Sequence, residues 1–325
     1  MPGSDHPEII ALGEPMAEFA AETPGGLGAA RVFRRGYGGD TANFAVAAAR
    51  MGGRCGYVTR IGDDEFGRAF LALWDQEGVD RSRVVVEREG RTAVYFIARR
   101  EDGGHDFTYY RAHSPASRLR PEDLDRAYLA GARVLHTSGI TQAISEGARA
   151  TVEAALEIAA SARVAVSYDV NVRPRLWSVE AARAAAERTF GRAHLVFVST
   201  EDAGHLYPGA DGEDVARRIL DRGPRAVVLK RGAAGCTVLA AGAAPVRLPG
   251  RAVEAVDTTG AGDAFAGAFV ASWIAGSSFA EAAVLANAAG ALTTTGLGAT
   301  APIPDREAVM AFLQTRQIAV HTRRE

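Results

Sequence analysis

Short apolar runs separated by helix-length amphipathic segments constrain this chain more than any other feature. Ile9–Leu12, Gly56–Arg60, Val134–His136, Val164–Asp169, Leu195–Val198 and Ala226–Leu229 are short, rich in β-formers and nearly free of charge, and they read as buried strands. Helical patterns lie between and after them, at Thr41–Met51, Phe66–Gln76, Ser145–Ala160, Val179–Phe190, Val215–Leu220, Asp263–Ala275, Phe279–Thr293 and Asp305–Phe312. A helix between two strands brings the second back parallel to the first. The expected architecture is an α/β fold with a mainly parallel sheet between two helical layers. With 325 residues, 47% of them hydrophobic, the chain can bury such a core as one large domain or two.

Two segments break the alternation. Met16–Ala21 with Val32–Tyr37, and Thr92–Arg99 with Phe107–Arg111, are β-rich and have no helix between the paired strands. The second pair is joined across Arg100–Asp106, where Asp102-Gly103-Gly104 is a hairpin-type turn. Four extra strands predict a small sheet on one side of the body, serving as a lid or as an interface between copies. The expected division is a body of 1–15, 38–90 and 113–325 and a β-lid of 16–37 and 91–112.

Charge and cysteine usage exclude several function classes. The chain has 37 Lys+Arg against 39 Asp+Glu, net −2, well mixed along its length. No basic face is offered to a polyanion, so nucleic acid is not an expected partner. The lysine count is one, Lys230, and every other basic residue is arginine, a compositional bias with a single exception. No stretch approaches the ~18 apolar residues of a membrane span, and Glu8–Leu12 lacks the length and flanks of a signal peptide. Cys55 and Cys236 have no metal-ligand spacing and the histidines form no His-x-x-x-His pair, so no zinc site is expected. A reduced cytoplasm is the expected location.

The most informative stretch is Asp257-Thr258-Thr259-Gly260-Ala261-Gly262-Asp263-Ala264-Phe265-Ala266-Gly267. It opens a helix with small residues, so several backbone N–H groups can converge on an anion. Gly260 and Gly262 allow close approach without a Cβ, and Asp263 sits beside the resulting hole. An Asp in a first helical turn is ordinarily a cap, but that alone leaves the Gly-Ala-Gly and the preceding Asp-Thr-Thr unexplained. A second cluster, Gly38-Gly39-Asp40-Thr41-Ala42-Asn43, also runs into a helix and would let a polyhydroxy ligand lie against backbone, with Asn43 offering donor and acceptor.

The two clusters resemble the C-terminal and N-terminal signatures of the PfkB (ribokinase-like) family of carbohydrate kinases, in the right order and about 220 residues apart. The resemblance implies a ribokinase-like three-layer α/β/α sandwich with a small β-sheet lid. It implies ATP with Mg²⁺, Asp263 as the general base that takes the acceptor hydroxyl's proton, and Gly260-Ala261-Gly262 as the anion hole. Positioning and electrostatics of this kind suit phosphoryl transfer. The absence of a Gly-x-x-x-x-Gly-Lys-Ser/Thr loop and of the protein-kinase motifs agrees with a family that binds nucleotide by other means.

Resemblance also assigns a nucleotide side. Lys230 and Gly232 follow the strand Ala226–Leu229, in a stretch that lines the family's nucleotide site, and a compact ammonium can neutralise phosphate where a planar guanidinium does not fit. Asn171, Ser199 and Asn287 are the further nucleotide-side positions. Ser199 and Asp202 stand where the family often has Asn-x-x-Glu, linked to Mg²⁺, so Asp202 is expected to act on the metal through water. Asp257, Thr259 and Gly298 mark the region where some members bind a monovalent cation such as K⁺, although Pro302 replaces one contributing side chain.

For the acceptor, the resemblance narrows to the 2-keto-3-deoxygluconate kinase branch. It is carried by Gly38-Gly39-Asp40-Thr41 with Asn43, by Tyr109-Tyr110-Arg111, by His136-Thr137-Ser138-Gly139-Ile140, and by Asp169-Val170-Asn171-Val172-Arg173-Pro174-Arg175-Leu176-Trp177. Arg111 and Arg173 are suited to hold a carboxylate through charge-assisted hydrogen bonds, and Tyr95 and Tyr109 to flank the carbon chain from the lid. The branch usually has Tyr at the position of Val172, which leaves room for a related acid. Fructose, ribose and 5-keto-2-deoxygluconate are the alternative acceptors, and a non-catalytic sugar- or nucleotide-binding relative is the alternative class. Such a binder would be free to lose the Asp263 constellation, which is intact here. A nicotinamide-dependent oxidoreductase would need Gly-x-Gly-x-x-Gly after the first strand, where Gly13-Glu14-Pro15 stands instead. The family resemblance also implies a homo-oligomer formed through the β-lid.

Overall fold

Ile9 and Ala11 of the first strand pack into one apolar cluster while Ile10 and Leu12 pack into another, and Leu195, Phe197 and Val196, Val198 divide the same way. A strand buried on both faces needs helices on both, which is the physical content of the alternating sequence. The computed structural model, describing residues 6–100 and 104–321, has this arrangement. In chain order the strands are β1 (Ile9–Leu12), β2 (Met16–Pro24), β3 (Phe33–Gly38), β4 (Cys55–Gly62), β5 (Val84–Glu87), β6 (Val94–Arg99) and β7 (His105–Tyr110). They continue as β8 (Val134–Ser138), β9 (Ala165–Asp169), β10 (Leu195–Ser199), β11 (Ala226–Lys230), β12 (Cys236–Ala240) and β13 (Val246–Leu248).

Nine strands form the central sheet in the order β13-β12-β11-β10-β9-β8-β1-β4-β5. Neighbours from β11 to β5 are parallel, and β12 and β13 add an antiparallel edge. Helices Asp40–Arg50, Ala261–Ile274 and Phe279–Thr293 cover one face, and Glu146–Ala162, Val179–Phe190 and Gly212–Leu220 the other. The strand order reverses at β1, where the chain goes outward through β4 to β5 and later returns through β8. Open α/β sheets bind ligands in the crevice at the carboxyl ends of such a switch point.

The second sheet, β3-β2-β6-β7, is the small lid anticipated from the two interruptions. Its outer pairs are antiparallel, but β2 and β6 pair in parallel. Of the hairpin turn read between β6 and β7, Asp102 and Gly103 lie outside the described residues. Sequence reading missed β5, β12 and β13, because each is short and lies at or near a sheet edge, so the apolar run is weak. It also missed the short helices Gly139–Ala143 and Thr200–Leu206 and placed the end of Arg306–His321 too early. Among the described residues no helix is long and apolar enough to cross a membrane.

Candidate active site

The start of helix Ala261–Ile274 is built for an anion. Its N-cap, Gly260, has φ 76° and no side chain caps the first turn, so the leading amides have no side-chain partner. A Cβ on Gly260 would lie 2.5 Å from the Ala299 carbonyl, so glycine is required by conformation and by space. The helix begins at Ala261, which puts Asp263 in its first turn. A few residues on, a Cβ on Gly267 would be 2.5 Å from the Phe44 carbonyl of helix Asp40–Arg50. That close crossing brings Asn43 to Asp263, with Asn43 Nδ2 donating to Asp263 Oδ2 at 2.9 Å.

Helix Asp40–Arg50 presents a second uncapped N-terminus. Gly39 is its N-cap at φ 98°, and a Cβ there would strike the Glu14 carbonyl at 2.2 Å. Gly38 leaves room for the Tyr95 hydroxyl, which a Cβ would meet at 2.3 Å. Asp40 Oδ2 accepts from Asn171 Nδ2 at 3.0 Å, while its Oδ1 is buried without a partner. Burial and the neighbouring Asp40 push the Asp263 carboxyl up to about 7, against the lowering effect of Asn43. The residues read from both signatures thus meet, and Asn171, read as a nucleotide contact, is hydrogen-bonded to Asp40 of the N-terminal cluster.

On the opposite side of Gly262 lies Lys230. Its Nζ would be 3.3 Å from a Gly262 Cβ, and it donates to Asp169 Oδ2 at 2.6 Å. Burial pulls the ammonium's pKa down, but Asp169, joined by Asp202 and Asp263, holds Lys230 above its ordinary value. Burial raises Asp169 to about 6, and its Oδ1 is buried without a partner. Gly232 is on the exposed lip beyond β11. Asn287 is buried beneath, hydrogen-bonded to the Cys236 thiol.

Ser199 and Asp202 form a capping box on helix Thr200–Leu206, with Ser199 N and Oγ donating to Asp202 Oδ2 at 3.1 and 2.6 Å. The other oxygen, Oδ1, accepts from Val172 N at 2.7 Å. Asp202 thus fixes the loop after β9. Asp257 Oδ1 accepts from Thr259 N and Oγ1 at 2.9 and 2.7 Å, and Oδ2 accepts from Gly298 N at 2.9 Å. Among the described residues no group of three His, Cys, Asp or Glu side chains forms a metal cage. Mg²⁺ needs no such cage, since it keeps several waters and is held by one or two carboxylates with substrate phosphates. The unpartnered Asp169 Oδ1 fits that requirement better than the fully engaged Asp202.

The lid supplies the rest of the pocket. Tyr95 stacks on Tyr109 with ring centroids 5.8 Å apart, and its hydroxyl donates to the buried Glu18. Burial pushes Glu18 up to about 7, although the Tyr95 and Ala299 hydrogen bonds oppose the rise. Arg111 keeps its Nε buried without a hydrogen-bond partner. It pairs with Glu14, which is buried and also accepts from Ser114 Oγ at 2.5 Å. Arg173 is exposed, donates to the Val172 carbonyl at 2.8 Å, and has no carboxylate partner among the described residues.

Glu14, Glu18 and Thr300 were given no role from sequence, and Asp169 was read only as the start of the Asp169–Trp177 motif. Thr300 Oγ1 lies 2.6 Å from Asn43 Oδ1 and fixes the amide's orientation toward Asp263. A carboxylate in a strand signals little by itself. The available hint was an acid within an otherwise apolar lid strand, Glu18 between Ala17 and Phe19.

Comparison with known proteins agrees with this geometry. The chain is 36% identical to a 2-dehydro-3-deoxygluconokinase of Thermoproteus tenax over 305 residues, 92% of each chain. It is 34% identical to a probable fructokinase-5 of Arabidopsis thaliana, over 92% of this chain and 94% of that one. A putative ribokinase II of E. coli, solved in complex with ATP and Mg²⁺, superposes with a TM-score of 0.88 at 25% identity, covering 95% of this chain and 99% of its own. With the description "pfkB family carbohydrate kinase" matching residues 6–306, this chain belongs to the PfkB family of carbohydrate kinases.

Proposed function

We propose that this kinase uses ATP to phosphorylate the terminal hydroxyl of a keto-deoxy sugar acid, 2-keto-3-deoxygluconate in the first place. The observation that carries the reading is the pairing of Asp263 with an uncapped, glycine-led helix start beside it. Asp263 accepts the proton of the acceptor hydroxyl, which Asn43, Asp40 and Asn171 hold in place. The amides at Gly260, Ala261 and Gly262 face the charge that builds on the transferring phosphoryl group, and Lys230 neutralises phosphate from beside Gly262. Mg²⁺ arriving with ATP would screen the phosphate charge, and Asp169, whose Oδ1 has no hydrogen-bond partner, would hold it. Both Asp257 oxygens already accept hydrogen bonds, and the proposed mechanism has no step through a monovalent cation.

The acid is favoured by the charge of Arg173, which has no carboxylate partner among the described residues, and by the 2-dehydro-3-deoxygluconokinase relative. Fructose is the second reading, because plant fructokinases are about as similar in sequence. A coupled ADP-release assay over sugar acids and neutral sugars separates the two. Turnover with 2-keto-3-deoxygluconate supports the first, and turnover confined to fructose or ribose overturns it. We further propose that two copies associate through the lid, whose outer side carries Phe96 against the exposed Tyr110.

A further inference from the structure

Glu18 is an acid in the middle of the lid's apolar inner face. Met16 and Ala20, two residues to either side on β2, point the same way and pack with Ala93, Tyr95 and Ile97. At 1% exposure a carboxylate there is costly unless its oxygens are engaged. Two glycines make room for its full length. A Cβ on Gly36, its register partner on β3, or on Gly298 would lie 2.8 or 2.6 Å from Oε1. The other oxygen, Oε2, accepts from the hydroxyl of Tyr95, its register partner on β6, and from Ala299 N at 3.2 Å. Both donors meet one oxygen, so a proton on the carboxyl would sit on Oε1 and leave both bonds in place.

The two donors belong to opposite halves of the site. Tyr95 is on the acceptor side, where its hydroxyl would be 2.3 Å from a Cβ on Gly38 and its ring stacks on Tyr109. That hydroxyl gives its proton to Glu18, so it can offer a ligand only its lone pairs. Ala299 walls the anion hole, with its carbonyl oxygen and Cα 2.5 and 3.0 Å from where a Gly260 Cβ would be. The same loop is tied down on either side of Ala299. Gly298 N donates to Asp257 Oδ2 at 2.9 Å, and Thr300 Oγ1 donates to the Tyr37 carbonyl of β3 at 2.7 Å.

We propose that Glu18 is a positioning residue that joins the lid wall of the acceptor pocket to the anion hole, setting the Tyr95 hydroxyl and the Ala299 peptide from a single oxygen. The proposal rests on the reading above of Gly260-Ala261-Gly262 as the anion hole. Its test is steady-state kinetics, with thermal melts alongside, of wild type, Glu18→Gln, Glu18→Asp, Tyr95→Phe and the Glu18→Asp/Tyr95→Phe pair. The substrates are ATP and the acceptor that wild type turns over, 2-keto-3-deoxygluconate or fructose. Glu18→Gln keeps an oxygen within reach of both donors and stays within about 3-fold of wild type. Glu18→Asp keeps the charge but draws the carboxylate back by one methylene, so kcat falls about 10-fold and the acceptor's KM rises. Tyr95→Phe raises that KM by itself and adds nothing to it once Glu18 is shortened.

Three results would overturn it. The reverse order, with Glu18→Asp active and Glu18→Gln impaired, makes the charge and not the reach of Glu18 the working property. A Glu18→Asp variant that melts lower but keeps kcat reduces the acid to a structural role. A Tyr95→Phe effect that adds in full to that of Glu18→Asp separates the two residues. Each of these leaves the anion-hole reading standing. A wild type that phosphorylates no acceptor at all refutes that reading first and this inference with it.

Discussion

Asp263 is the residue on which the chemistry turns, and two neighbours pull its proton affinity in opposite directions. Burial raises it most, Asp40 raises it further and the Asn43 hydrogen bond lowers it, which together leave it at about 7. The base works ionised, so kcat/KM should fall as pH drops through that region, with a slope of one proton. Asn43→Ala removes stabilisation of the charged form and should move this acid limb to higher pH. Asp40→Asn removes a like charge and should move it lower. A pH–rate profile of the three proteins checks the signs, and shifts in the same direction would contradict the electrostatic account.

Lys230 is the other residue with a clear expectation. Lys230→Arg keeps the charge but not the compact shape, and should raise the KM for ATP several-fold while the KM for the acceptor stays near wild type. Asp169→Asn leaves a buried ammonium without its partner and should cost about 3–5 kcal/mol in chemical denaturation. The single lysine was visible in the composition, and its strand end could be read from the apolar run before it. Its partner was not legible, because Asp169 is 61 residues away in sequence and the two meet only across β9 to β11.

Among the elements, the two helix N-termini make the site and their glycines are not equivalent. Gly260→Ala forces a left-handed conformation and sets a Cβ 2.5 Å from backbone at Ala299. It should cost stability by about 1–3 kcal/mol and abolish most activity. Gly262→Ala meets only the side-chain end of Lys230 at 3.3 Å, so it should fold normally and act on the KM for ATP. Thermal melts with paired kinetics distinguish the two. Both glycine clusters were legible as motifs, and their helices were found within a few residues. Sequence reading gave Arg111 to the acceptor's carboxylate but could not find its partner, Glu14, which follows the end of β1 and is brought near by the fold alone. The bond from Val172 N to Asp202, which holds the loop after β9, was equally out of its reach.

At the scale of the whole molecule, the strand–helix alternation carried nearly all of the layer arrangement, because a strand covered on both faces must be apolar throughout. The edges escaped it. β12 and β13 pair antiparallel, and β2 with β6 pair in parallel within the lid, contacts that depend on tertiary placement and leave no period in the sequence. The lid's aromatic outer side makes a further prediction. Light scattering across a concentration series should show a dimer that Tyr110→Glu weakens without altering kinetics per active site. A monomer at every concentration would remove the lid from any role in assembly.

The central claim is that Asp263 moves the acceptor's proton at the start of an anion-binding helix. The most direct test is the kcat of Asp263→Asn for ADP release in the presence of its sugar acceptor, with nucleotide affinity measured alongside. General-base removal predicts a fall of about 10²–10⁴-fold with ATP still bound as tightly as in wild type. A variant that keeps kcat within a few-fold of wild type would contradict the account.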